Sequence, residues 1–107
     1  MAKRKFNRYT NKWDLVGDDW ELQFISYSNE WVFAPPGSSC RYNSYDKKWA
    51  MVPGSWKLKY NSHTNGWSFA PEDAEPAFNT YEKRWEMAAP GWQLEYDPYN
   101  KVWKYVP

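Results

Sequence analysis

The chain has 107 residues, a length that fits one domain, and its net charge of +1 gives no broad field to draw in nucleic acid or an anionic membrane. Aromatic residues make up 21% of it while Leu, Ile and Val are scarce, so the core is expected to be built of rings. The single cysteine, Cys40, excludes an internal disulfide, and no apolar run approaches the roughly 18 residues that span a bilayer, nor forms a secretory leader; a soluble, cytosol-made protein is expected.

The chain opens on a basic run, MAKRK, read as a solvated terminus rather than a phosphate-binding arm. A repeat then takes over. Trp13, Trp31, Trp49, Trp67, Trp85 and Trp103 stand 18 residues apart, without insertion or deletion. Seven residues before each lies a ring (Phe6, Phe24, Tyr42, Tyr60, Phe78, Tyr96), and four before lies another (Tyr9, Tyr27, Tyr45, His63, Tyr81, Tyr99). Two residues after comes a large apolar side chain: Leu15, Phe33, Met51, Phe69, Met87 and Tyr105. Three further tryptophans, Trp20, Trp56 and Trp92, recur every 36 residues. Six units of 18 therefore alternate in two kinds, giving three repeats at approximately 4–35, 40–71 and 76–107 within a single domain, 1–107.

Each unit reads as a β-hairpin. Trp20-Leu22-Phe24, Trp56-Leu58-Tyr60 and Trp92-Leu94-Tyr96 alternate with polar residues, the period of a half-buried strand, and Trp103 with Tyr105 shows the same period on the return. Asn7, Asn43, Asn61, Asn79 and Asp97 open the intervening turns, where an Asx side chain bonds the backbone two residues on; Ile25 is the exception. Asn11, Asn29 and Asn65 suit a left-handed position near the end of the turn, which Lys47, Lys83 and Lys101 take in the other units. Connectors such as Ala34-Pro35-Pro36-Gly37 and Ala89-Pro90-Gly91 end the strands, because proline cannot donate to a ladder.

The expected fold is all-β: six 18-residue hairpins in three 36-residue repeats, closed with pseudo-threefold symmetry as a prism or three-bladed propeller of four-stranded sheets. Trp20, Trp56 and Trp92 would face the axis. A β-trefoil and an open hairpin solenoid are the alternatives. The nine tryptophans (Trp13, Trp20, Trp31, Trp49, Trp56, Trp67, Trp85, Trp92 and Trp103) are expected to form the structural core.

Catalysis finds no support in the pattern. One His and one Cys assemble no nucleophilic constellation, Glu21, Asp46, Glu82 and Glu95 form no marked pair, and no metal-ligand spacing recurs, so neither enzyme, metal nor cofactor is expected. The candidate binding residues are the tip rings Tyr9, Tyr27, Tyr45, His63, Tyr81 and Tyr99. Either each folds back over its own Trp as a lid, or the rings stay exposed beside Asn and Lys and bind a protein surface or sugars. Single-stranded nucleic acid stacks on rings too, but it needs a positive groove that scattered lysines do not make. A WW module is excluded by the short interval from Trp92 to Trp103.

The phrases FNRYTNKW, YNSYDKKW and FNTYEKRW resemble the short tandem motif of small proteins of tailed phages infecting marine cyanobacteria, over residues 4–107. The resemblance implies a virion component, such as a decoration protein that is synthesised in the host cytoplasm and bound to a viral capsid or tail protein. The three-repeat plan is also similar to β-prism lectins of the monocot mannose-binding kind, which implies glycan binding as the alternative. Their mannose motif, QxDxNxVxY, is absent here.

Overall fold

A computed structural model describes residues 2–107, and among them every regular element is a strand. β1 (Ala2–Asn7) and β2 (Lys12–Gly17) form hairpin 1; β3 (Glu21–Ile25) and β4 (Glu30–Ala34) form hairpin 2; β5 (Ser38–Asn43) and β6 (Lys48–Pro53) form hairpin 3. Hairpin 4 is β7 (Lys57–Asn61) with β8 (Gly66–Ala70), hairpin 5 is β9 (Glu75–Asn79) with β10 (Arg84–Ala88), and hairpin 6 is β11 (Gln93–Asp97) with β12 (Val102–Val106). The expected four-stranded sheets are not formed. Each strand pairs only with its own partner, giving six two-stranded antiparallel sheets. Proline stands at four of the five connections between hairpins (Pro35, Pro53, Pro71 and Pro90) and breaks the ladder there, while the first connection, Gly17–Trp20, carries none.

One turn serves all six units. Asn7 lies opposite Lys12, leaving a four-residue loop, and the amide of Asn11 donates to the Asn7 carbonyl at 2.8 Å. The same closing bond is made by Lys47, Asn65 and Lys83. The loop-opening side chain accepts from the amide two residues on, as its type predicts: Asn7, Asn43, Asn61, Asn79 and Asp97 do so at 3.0–3.1 Å. The last loop residue is left-handed in every unit, with φ between 57° and 60°, at lysine as well as asparagine. Lys47, Lys83 and Lys101 therefore hold a conformation that costs a non-glycine residue roughly 1 kcal/mol or more.

The core is not made of rings. Its most deeply buried apolar residues are small or aliphatic: Leu15, Val16, Ile25, Ala34, Val52, Ala70, Ala74, Ala88 and Val106. Beside them lie Asn7, Asn43, Asn61, Asn79 and Asp97, the last two with no exposure at all. Val16, Ala34, Val52, Ala70, Ala88 and Val106 occupy one column, three residues after each repeat tryptophan and so on the opposite strand face. The tryptophans themselves are half-buried, and Trp13 is 39% exposed.

The molecule measures 32 × 32 × 20 Å, a flat disc. Trp56 lies against both Trp20 and Trp92, with ring centroids 6.3 and 6.2 Å away. The basic opening is no loose terminus: Lys3, Arg4 and Lys5 belong to β1, Lys3 pairs with Asp18 at 2.9 Å, and Lys5 donates to the carbonyls of Asp18 and Trp20. Met1 lies outside the described residues.

Candidate functional site

The six tip rings and six repeat tryptophans form one continuous arrangement. Within a hairpin, the ring seven residues before the tryptophan is its direct cross-strand partner, as Phe6 is to Trp13 and Tyr42 to Trp49. These pairs are tilted, with centroids 5.1–5.4 Å apart throughout. The tip ring does not fold over its own tryptophan. It reaches forward to the tryptophan of the next hairpin and lies flat on it. Tyr9 stacks on Trp31 at 4.0 Å, Tyr27 on Trp49 at 3.9 Å and Tyr45 on Trp67 at 4.3 Å. His63 stacks on Trp85 at 3.7 Å and Tyr81 on Trp103 at 3.8 Å, so His63 acts as a ring in its column. Such pairs contribute about 0.5–1.5 kcal/mol each beyond the area they bury.

The series does not stop at the last hairpin. Tyr99 stacks on Trp13 at 5.1 Å, which carries the contact from hairpin 6 back to hairpin 1.

A part-buried hydrogen bond of one kind accompanies four of the six stacks. While the Oδ1 atom of the loop-opening Asn holds its own turn, its Nδ2 atom donates to the backbone carbonyl of the next hairpin's tryptophan. Asn7 reaches Trp31, Asn43 reaches Trp67, Asn61 reaches Trp85 and Asn79 reaches Trp103, at 2.8–3.1 Å. Asparagine suits the position because one side chain both accepts and donates. Ile25 has neither group, and hairpin 2 keeps its neighbour through the Tyr27–Trp49 stack and apolar burial.

Hairpin 6 solves the same problem with two residues. Asp97 accepts from the amides of Tyr99 and Asn100, but a carboxylate cannot donate to Trp13. Asn100 does so instead, at 3.1 Å, and its Nδ2 atom also donates to Asp97 at 2.8 Å. Burial opposes ionisation of Asp97, yet the hydrogen bonds from the Asn100 side chain and the Asn100 and Tyr99 amides outweigh it and hold the pKa below the ordinary 3.8. A depressed folded pKa contributes stability that is present above the unfolded value and lost as pH falls through the folded one. Acid below about pH 4 is therefore expected to weaken the contact between hairpins 6 and 1. In an Asp97→Asn variant, that part of the acid sensitivity should disappear from melts recorded across pH. Replacing Asn100 by Ala should cost less in that background than in the native chain, because the amide introduced at position 97 can donate to the Trp13 carbonyl directly.

Around the tips the rings remain largely open to solvent on the side away from the stack. Tyr27 is 67% exposed and Tyr45 and Tyr81 are each 58% exposed; Phe6, Phe24, Tyr42, Tyr60, Phe78 and Tyr96 are also exposed, at 39–45%. Shallow clefts run between neighbouring hairpins. One, of about 410 Å³, is bounded by Tyr27, Ser28, Glu30, Lys47, Lys48 and Trp49. All six predicted tip rings are thus brought into one belt. The second ring column belongs to that belt as well, although its regular spacing marked it only as structural. Among the described residues, no group of three or more His, Cys, Asp or Glu side chains gathers where a metal ion could be held.

Comparison with models of protein families, with curated proteins and with solved structures finds no match for this chain.

Proposed function

We propose that this protein is a non-enzymatic accessory component of a tailed-phage virion that docks on an assembled capsid or tail surface through its aromatic belt. The observation that carries the proposal is the belt itself. Twelve large aromatic side chains around the tip loops and adjoining strands are more than one-third exposed, while the nine buried apolar residues are all aliphatic. Exposed apolar surface of that extent, interspersed with Asn and Lys, is a common mark of a protein-binding face. Repetition adds to it: weak contacts of one kind, presented at regular intervals by a rigid body, suit a partner that is itself repetitive. A closed pseudo-threefold body belongs to the same proposal. The Trp20–Trp56–Trp92 series and the contact from hairpin 6 to hairpin 1 support it, and such a body would fit a threefold or quasi-threefold point of a shell.

A second reading, a multivalent lectin, draws on the cleft beside Tyr27 and Trp49, where a flat ring adjoins Glu30, Lys47 and Lys48 as hydrogen-bonding groups. The two readings separate on ligand dependence. Labelled protein should co-sediment with purified cyanophage capsids and not with their unassembled subunits. A Tyr27→Ala/Tyr45→Ala/Tyr81→Ala variant, shown to be folded by its melt, should lose that binding. Saturable tryptophan fluorescence changes with a panel of oligosaccharides, together with no capsid binding, would replace the docking reading with the lectin.

A further inference from the structure

One internal column of the repeat contains a set of built nitrogen sites. Eight residues before each repeat tryptophan stand Lys5, Gln23, Arg41, Lys59, Ala77 and Glu95. The first four fold back onto the turn that leaves their own hairpin and donate to its backbone carbonyls. Lys5 bonds Asp18 and Trp20, and Arg41 bonds Pro53 at 3.1 Å and Trp56 at 2.6 Å. Lys59 bonds Glu72 and Ala74, and Gln23 bonds Ala34 and Pro35. In hairpin 5 the same backbone turn is present, its Trp92 amide closing onto the Ala89 carbonyl at 3.1 Å as Trp20 closes onto Gly17 and Trp56 onto Pro53. The residue beneath it is Ala77, which has no group to donate.

That place is an open cavity of about 360 Å³, lined among others by Asp73, Glu75, Ala77, Pro90, Trp92 and Tyr105. Counting by the 18-residue period from hairpin 4, the carbonyls that Lys59 bonds at Glu72 and Ala74 correspond here to those of Pro90 and Trp92. Two exposed carboxylates, Asp73 and Glu75, border the cavity, and none of its lining residues is cationic. We propose that this cavity binds a primary ammonium group on an unbranched alkyl chain, which would take the position that the Lys59 head takes in hairpin 4. The carbonyls accept its N–H groups, Asp73 and Glu75 supply the opposite charge, and the Trp92 side of the cavity covers the methylenes. The site lies at the end of hairpin 5 away from its tip loop, and so is separate from the aromatic belt.

The test is an amide and indole NMR titration of the full chain with butylammonium chloride, and in parallel with tetramethylammonium chloride. Saturable shifts at Ala77, Gly91 and the Trp92 indole are expected with butylammonium alone, since the quaternary ion carries charge but has no N–H to donate. Ala77→Lys should abolish the response by filling the cavity from within. The exposed pair Asp73→Asn/Glu75→Gln should weaken it about tenfold and serves if Ala77→Lys fails to fold. Equal shifts with both ions, no saturable shift, or a response unchanged in both variants would overturn the proposal. A lysine-containing peptide and free 1,5-diaminopentane distinguish the source: tighter binding of the peptide assigns the site to a partner's lysine, and tighter binding of the diamine to a free polyamine.

Discussion

A chain cut after Ala89, lacking hairpin 6, is expected to lose cooperative unfolding altogether rather than to melt a few degrees lower. In an open stack of hairpins, removing the last unit deletes one interface, and the rest stays folded by the sum of its remaining contacts. Here hairpin 6 holds two neighbours. Its Trp103 receives Tyr81 and the Asn79 side chain from hairpin 5, while its Tyr99 and Asn100 reach Trp13 of hairpin 1. Deletion removes both sets of contacts together, the Asn79 bond to the Trp103 carbonyl among them, and opens Asn79, which has no exposure in the intact molecule, to solvent. The two stacks and two hydrogen bonds among these contacts are worth about 0.5–1.5 kcal/mol each and are lost at once, against a total stability for a domain of about 5–15 kcal/mol.

The control is a circular permutant, and the repeat dictates its linker. Pro107 and Ala2 correspond by the 18-residue period to Pro35 and Ser38, which are joined by Pro36 and Gly37. A chain running from Ser38 to Pro107, through an added Pro-Gly, and on from Ala2 to Pro35 keeps every interface. It should unfold in a single transition close to that of the native protein. Circular dichroism and calorimetric melts of both chains decide the matter. A sharp transition in the shortened chain, displaced by no more than one hairpin's share of the enthalpy, would show that the contact between hairpins 6 and 1 contributes nothing to cooperativity.

The period, the twelve strands and the turn chemistry were legible because each is written locally. An alternation of two, an Asx residue and a proline act within a few positions. What the sequence concealed is which face of a hairpin lies deepest. Trp13 and Leu15 share a face with Phe6, and hydropathy alone assigns that face to the interior. Yet Phe6 and Trp13 stay about two-fifths exposed, while Asn7 and Val16 on the other face are buried and so is Leu15 beside the rings, because both sides of a hairpin are partly covered. Hydropathy misplaces Asn7 in particular. Its burial is stabilised by the second half of its amide, which bonds a carbonyl 24 residues away, and no local pattern announces such a bond. One signal did exist in the column three residues after each tryptophan, which holds only Val or Ala in all six units. Such restriction marks close approach. The tip rings were legible as candidates, but their direction was not, since stacking on the next tryptophan rather than the hairpin's own depends on how consecutive hairpins are offset.

Trp56→Ala is expected to be the most damaging single substitution in the chain, at about 3–5 kcal/mol. Trp56 alone of the three extra tryptophans lies against both of the others, and its carbonyl receives Arg41. Its column explains the arrangement. Reading every 18 residues, it runs Ala2, Trp20, Ser38, Trp56, Ala74, Trp92, a large side chain alternating with a small one. Ala74 is 1% exposed, so the place where a fourth ring would go is already filled. Two consequences follow from packing at fixed volume. Removing Trp56 leaves a hole bordered by Trp20 and Trp92, neither of which can cross it without abandoning its own turn. Adding bulk is no better: Ala74→Trp should cost about 1–3 kcal/mol by overpacking, though it restores nothing but aromatic content. Tyr45→Ala provides the contrast, because it removes a single stack from a ring that is 58% exposed and should cost only about 1 kcal/mol. Denaturant titrations of the three variants, read with a common slope, rank them directly. If Trp56→Ala falls level with Tyr45→Ala, the three-tryptophan cluster is ornament and stability resides in the buried amides. If it falls far below, the alternation of large and small around Trp56 is what holds three pairs of hairpins in one body.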